Sequence, residues 1–151
     1  RVYGFKEYEK ALTFIKLNYS STIEGKEAER ILDDVLPTVK NDRFLKNDLS
    51  DNYKIVYQFD TVSNSDIDSQ ITSLKKYIDK VDYLDLTVSE DFYNTIVTFV
   101  VVHGLKSYDG SLGLAERLEN SIDIQAKSFF VISTDNYKTI QIHKNLDKFE
   151  K

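Results

Sequence analysis

Residues 92–104, Phe92-Tyr93-Asn94-Thr95-Ile96-Val97-Thr98-Phe99-Val100-Val101-Val102-His103-Gly104, decide the fold. From Ile96 to Val102 the side chains are almost all β-branched or aromatic, which suits a strand covered on both faces. Ile96, Val100 and Val102 should therefore be buried, and Gly104 should end the strand. Just upstream, Leu84, Leu86 and Val88 alternate into a second strand, with Ser89-Glu90-Asp91 as the turn between the two.

Helical signals flank this pair. Ile67, Ile71, Leu74, Ile78 and Val81 fall on one stripe, a helix near 65–80 opened by Asn64-Ser65 with Asp66 and Asp68 in its first turn. Asp109-Gly110-Ser111 leads into a helix near 111–120 carrying Leu114, Ala115 and Leu118. Ile122, Ile124, Ala126, Phe130 and Ile132 read as a strand, Thr134-Asp135-Asn136 as a turn, and Tyr137 to His143 as the last strand. Phe130 and Ile140 join the predicted core. Leu146 and Phe149 pin a short tail.

The two halves of this region echo each other. Val88-Ser89-Glu90-Asp91-Phe92-Tyr93-Asn94-Thr95-Ile96 aligns with Ile132-Ser133-Thr134-Asp135-Asn136-Tyr137-Lys138-Thr139-Ile140 at a constant offset, which also sets Leu74 on Leu118, Ile78 on Ile122 and Leu86 on Phe130. Shared turn chemistry produces such strings cheaply, as Asp51-Asn52-Tyr53-Lys54 copying Asp135-Asn136-Tyr137-Lys138 shows. Because the helices match as well, the pattern reads as a doubled helix–strand–strand unit, 65–103 and 109–143. It predicts an α+β fold: an antiparallel sheet with both helices on one face, a permuted ferredoxin-like layer.

Residues 1–62 add to this core to make a single domain of 1–151. Phe5, Tyr8, Leu12, Ile15 and Tyr19 give a helix near 5–19. Ser21-Thr22-Ile23-Glu24 is a capping-box signature, with Ser21 as the cap of a helix near 22–36. Its stripe is Ala28, Ile31, Leu32, Val35 and Leu36, and Pro37 should stop it. Residues 38–51 are a polar connection. Tyr53, Ile55, Tyr57 and Phe59 alternate into a strand with one face well buried.

Composition bounds the function. A chain of 151 residues with 41% hydrophobic residues, ten Tyr and nine Phe can close a core without staples. A net charge of −5 argues against a nucleic-acid partner. The lack of cysteine excludes disulfides, thiolate metal sites and thiol nucleophiles, without fixing the compartment. Apolar runs are far too short to cross a membrane. The chain begins at Arg1 and contains no Met, so a tag, signal peptide or membrane anchor is expected upstream.

No residues stand out for chemistry. His103 and His143 each end a predicted strand, and no carboxylates are spaced to complete a metal site with them, so solvation at a sheet edge is the simpler account. Gly110-Ser111-Leu112-Gly113 lacks the Lys-Ser/Thr of a phosphate loop and the third glycine of a dinucleotide site. Asp33-Asp34, and Asp82 with Asp85, read as solvated acids, and Asn18-Tyr19-Ser20 is a glycosylation sequon by pattern alone. Catalytic, cofactor and metal residues are therefore expected to be none. Tyrosine is the surplus. Strand-rich domains use it often, but ten cannot all be buried with partnered hydroxyls. Tyr53, Tyr57, Tyr93 and Tyr137 are the candidates for a protein interface at the sheet rim.

Thr95-Ile96-Val97-Thr98-Phe99-Val100-Val101-Val102-His103-Gly104, then Leu114-Ala115-Glu116-Arg117-Leu118, then the Ile122–His143 hairpin carry a resemblance. Residues 65–144 resemble the periplasmic domains of PilO- and GspM-type proteins of type IV pilus and type II secretion platforms. Residues 1–62 depart from that family, which would have a long coiled-coil stem there. The resemblance implies a non-enzymatic, self-associating scaffold at the extracytoplasmic face of a membrane, anchored by a segment outside this chain. A VirB-type conjugation component built on the cone of nuclear transport factors is a second scaffold reading. A small-molecule-binding regulatory domain is the alternative from another class, because ferredoxin-like layers host ligands between helix and sheet.

Overall fold

The computed structural model describes residues 3–46, 50–60, 64–81 and 85–149. Expectations placed on Asp82 and Leu84 lie outside these residues. The chain divides into two compact units, Leu45–Tyr137 and Arg1–Phe44 with Lys138–Lys151.

The first is a sheet unit. Its strands are β1 (Tyr53–Asp60), β2 (Thr87–Phe92), β3 (Val97–Leu105) and β4 (Ser128–Ser133), in the order β2-β3-β1-β4 with every neighbour antiparallel. Helices α3 (Asn64–Lys80) and α4 (Tyr108–Ser121) belong to the same unit. Tyr53, Ile55, Tyr57 and Phe59 of β1 join Val100 and Val102 of β3 in one core with Ile67, Leu74, Ile78, Leu114 and Leu118 from the helices. The opposite face is closed too: Val56, Phe99, Val101 and Ile132 are buried. Tyr93 stacks on Phe99 at 4.8 Å, with Phe130 and Tyr137 within ring contact of Phe99. Two-sided burial is what the β-branched run of β3 demands, and the α+β class follows.

The hairpin sits later in the chain than the sequence suggests. Ser89, Glu90 and Asp91 lie within β2, and the turn falls at residues 93–96. Asn94 makes that turn: its Oδ1 accepts from the amides of Ile96 and Val97 at 2.9 and 2.8 Å. Ile96, expected in the core, is therefore on the turn and 66% exposed. Val100, Val102 and Ile140 are buried as expected, while Phe130 is half-buried. β3 also runs past its expected end. Gly104 has φ +94 inside a bulge between Tyr53 and Ile55, and a Cβ there would lie 2.8 Å from the Asp85 carbonyl.

A second correction removes the repeat. Residues expected to be the last strand form α5 (Thr134–His143), and β4 covers only the end of the stretch read as a strand from Ile122. A strand would set Tyr137 on the face opposite Ile140 and Ile142. A helix puts Tyr137 and Ile140 on one side, and both are buried. Asn136, read as part of a turn, instead donates its amide to Ser133 Oγ at 3.3 Å, in the manner of a helix cap. The unit 109–143 is thus helix, strand, helix.

The second unit is helical. It contains α1 (Gly4–Asn18) and α2 (Ile23–Arg30), the latter prolonged by a π turn at Ile31–Val35 and a 3-10 turn at Leu36–Val39. Pro37 sits inside that last turn near its start, where its missing amide costs nothing. The cap of α2 is Thr22, one residue later than expected, accepting from the Gly25 amide at 3.1 Å. Gly25 is required there, because a Cβ would come within 1.9 Å of the Tyr19 carbonyl. Phe5, Leu12, Ala28 and Leu36 form the core, with Ile142 of the returning chain packed on it. α6 (Leu146–Phe149) is the expected tail, tied by Phe149 to Phe44 at 5.3 Å between rings and by Lys148 to Asp42 at 2.8 Å.

Candidate functional site

The tyrosines expected at a rim are interior: Tyr53, Tyr57, Tyr93 and Tyr137 are all at least nine-tenths buried. Alternation along β1 sets Tyr53 and Tyr57 on the face of Ile55 and Phe59, and the apolar ring area outweighs the hydroxyl. The Tyr57 hydroxyl has no hydrogen-bond partner among the described residues. Burial, with the negative charge of Glu119, pushes that phenol above its ordinary pKa.

Tyr137 instead joins a polar cluster on the second face of the sheet. Lys54, Ser89, Asp91 and His103 come from β1, β2 and β3, and strand alternation turns all four to that side. Lys54 Nζ lies 2.8 Å from His103 Nδ1, and His103 Nε2 lies 2.7 Å from Ser89 Oγ. Ser89 Oγ donates to Asp91 Oδ1 at 3.2 Å, and the Tyr137 hydroxyl donates to Asp91 Oδ2 at 2.6 Å. Lys54 Nζ also stands 5.7 Å from the Tyr137 ring centre.

The direction of this chain follows from its ends. An ammonium only donates, so His103 Nδ1 accepts and its proton resides on Nε2. His103 therefore donates to Ser89, which donates to Asp91. An imidazole that already presents N–H to a serine oxygen cannot take that serine's proton, so this is no activated nucleophile. Burial holds the His103 pKa below its ordinary value, the Lys54 charge pushes the same way, and Asp91 opposes both.

In front of this cluster runs the outer strand. Tyr93 N–H bonds to the Val97 carbonyl at 3.1 Å, and this sets the parity of the hairpin. Thr87, Ser89 and Asp91 direct their backbone groups at β3. Val88, Glu90 and Phe92 direct theirs away from the sheet, along its open edge among the described residues. The side chains of these three share one face: Val88 is half-buried against the α3–α4 core, Glu90 is exposed, and Phe92 is 59% exposed. Ile96 stands at the end of the same hairpin.

The helical unit has a different surface. Phe14, Leu17 and Tyr3 lie opposite the buried Phe5–Leu12 stripe of α1 and are exposed, as is Ile23 at the start of α2 (85%). Tyr19 packs on Phe14 edge to face at 6.4 Å.

Other sequence candidates resolve simply. His143 is on α5, not at a sheet edge; its Nε2 donates to the Val39 carbonyl at 3.0 Å and its ring meets Phe5 at 5.1 Å. Gly110 and Gly113 lie within α4, whose cap is Ser107, accepting from Gly110 N at 3.2 Å. Asp33 is an exposed partner of Lys16 at 3.4 Å. Asn18 bonds back to the Phe14 carbonyl. Among the described residues no group of three or more His, Asp or Glu could hold a metal ion, and no helix is long and apolar enough to cross a membrane.

Ser89, Asp91 and Lys54 escaped the sequence reading. Their signal was available: Thr87, Ser89 and Asp91 alternate with Val88, Glu90 and Phe92, the mark of a strand with one polar face. Three comparisons of the chain, with protein-family models, with curated proteins and with solved structures, find no match.

Proposed function

We propose that this chain is a non-enzymatic protein-binding scaffold domain that takes an extended segment of a partner along β2. The parity of that strand carries the reading. Val88, Glu90 and Phe92 offer backbone donors and acceptors outward, at the spacing by which an added strand pairs. The same three residues offer apolar, acidic and apolar side chains in turn, which favours a partner segment that alternates apolar, basic and apolar. A second copy of β2 fits poorly, because antiparallel pairing about this centre sets Glu90 against Glu90. The test is a selection of random linear peptides on the intact chain. Enriched sequences are expected to alternate apolar residues with Lys or Arg and to lose binding to Glu90→Lys. Enrichment that ignores charge, or survives Glu90→Lys, overturns the reading.

Self-association is a second reading, favoured by the exposed Phe14, Leu17 and Ile23 of the helical unit. Sedimentation over a concentration series tests it: Leu17→Ser with Ile23→Ser should shift the chain toward monomer. A setting in a membrane-anchored secretion, pilus or conjugation assembly rests on the sequence resemblance alone.

A further inference from the structure

His103 lies beside Gly104 in the bulge of β3, between Lys54 of β1 and Thr87 of β2. The groups that face it are Lys54 from β1 and Ser89 and Asp91 from β2, with the Tyr137 hydroxyl of α5 behind Asp91. Lys54 comes from β1, His103 from β3 and the Ser89–Asp91 pair from β2, so the side-chain chain bridges three strands. Its continuity depends on one lone pair, at His103 Nδ1.

We propose that His103 is a proton-operated switch of this corner: neutral, it joins Lys54 to Ser89, and protonated, it expels Lys54 and loosens the sheet there. A proton on Nδ1 removes the acceptor for the Lys54 ammonium and sets two cations within contact distance. Nε2 keeps its bond to Ser89, and the new charge is drawn to Asp91. Lys54 must then move away, so the corner loses its tie between β1 and β3. The switch stands whether or not β2 docks a partner, and none of its parts is an outward-facing residue of that edge.

Histidine ring nitrogen resonances in the intact chain test it, with His143→Gln used for assignment. At neutral pH His103 should be the Nε2-protonated tautomer, titrating below the ordinary histidine midpoint. Lys54→Met should raise that midpoint and Asp91→Asn should lower it. As His103 titrates, the amides of Ile55 and Val102, paired across β1 and β3 beside Lys54, should exchange faster than base catalysis allows. His103→Gln, which can accept and donate without titrating, should abolish that acceleration. An Nδ1-protonated tautomer, a midpoint indifferent to both neighbours, or exchange that follows base catalysis alone would overturn the switch. Should His103→Gln fail to fold, the two neighbour variants still decide, because they leave the imidazole in place.

Discussion

The sheet unit buries large side chains on both faces of its sheet and leaves Phe92 and Ile96 outside at one hairpin, whereas in the helical unit α1 buries one face and Phe14, Leu17 and Ile23 stay outside. The difference is geometric. A central strand such as β3 projects side chains to two sides, and helices can cover both; a helix needs only one stripe to be held. Both units bury an apolar core, and the helical one adds a close backbone approach at Gly25 against Tyr19. What remains exposed in each is correspondingly different: a strand edge in the first, an apolar helix face in the second.

Substitutions can break this contrast in order of size. Val100→Asp should have the largest effect, because an unpaired charge at a fully buried strand position costs several kcal/mol, of order the whole stability. Circular dichroism and urea unfolding should find no cooperative transition; a well-folded variant would mean that β3 is not the centre of the core. Gly25→Ala should follow at roughly 3 kcal/mol, the upper end of overpacking, since the clash is with backbone. Native-state hydrogen exchange should show α1 and α2 losing protection while β1 and β3 keep theirs. Uniform loss would mean that the two units unfold as one. Thr22→Ala removes one cap bond and should cost about 1 kcal/mol in the same helices.

Acid should separate the units more gently. The folded pKa of His103 lies below its unfolded value, so the folded state binds fewer protons between the two. Its contribution is complete above the ordinary histidine pKa, about 6.5, and falls as pH drops through and below that value. His103→Gln should flatten this part of the stability curve; an unchanged slope would assign it to other groups. Smallest of all, Leu17→Ser with Ile23→Ser should leave stability within about 0.5 kcal/mol, since exposed side chains have little to lose. A large loss in chemical unfolding would mean that these residues are covered within the protein.

Legibility followed the same division between strong and weak patterns. α1, α2, α3, α4, β1 and the body of β3 were readable because several apolar residues agree on one period. α5 was misread since Tyr137, Thr139, Ile140 and Ile142 have strand-forming side chains, and only their failure to alternate reveals the helix. β2 was misplaced because Ser89 and Asp91 are turn formers by type, while Asn94 makes the turn by accepting two amides. The tyrosine interface failed for a related reason: composition shows a surplus but not a face. The Lys54–His103–Ser89–Asp91 cluster was illegible once β2 was cut short, because its members meet only across three strands in register.

Protection of individual amides on binding a selected strand peptide tests the docking edge most directly. Val88, Glu90 and Phe92 should gain protection from exchange, while Thr87, Ser89 and Asp91, already bonded to β3, should change little. Protection that spreads evenly along β2, or that appears instead on α1 and α2, would contradict strand addition at this edge.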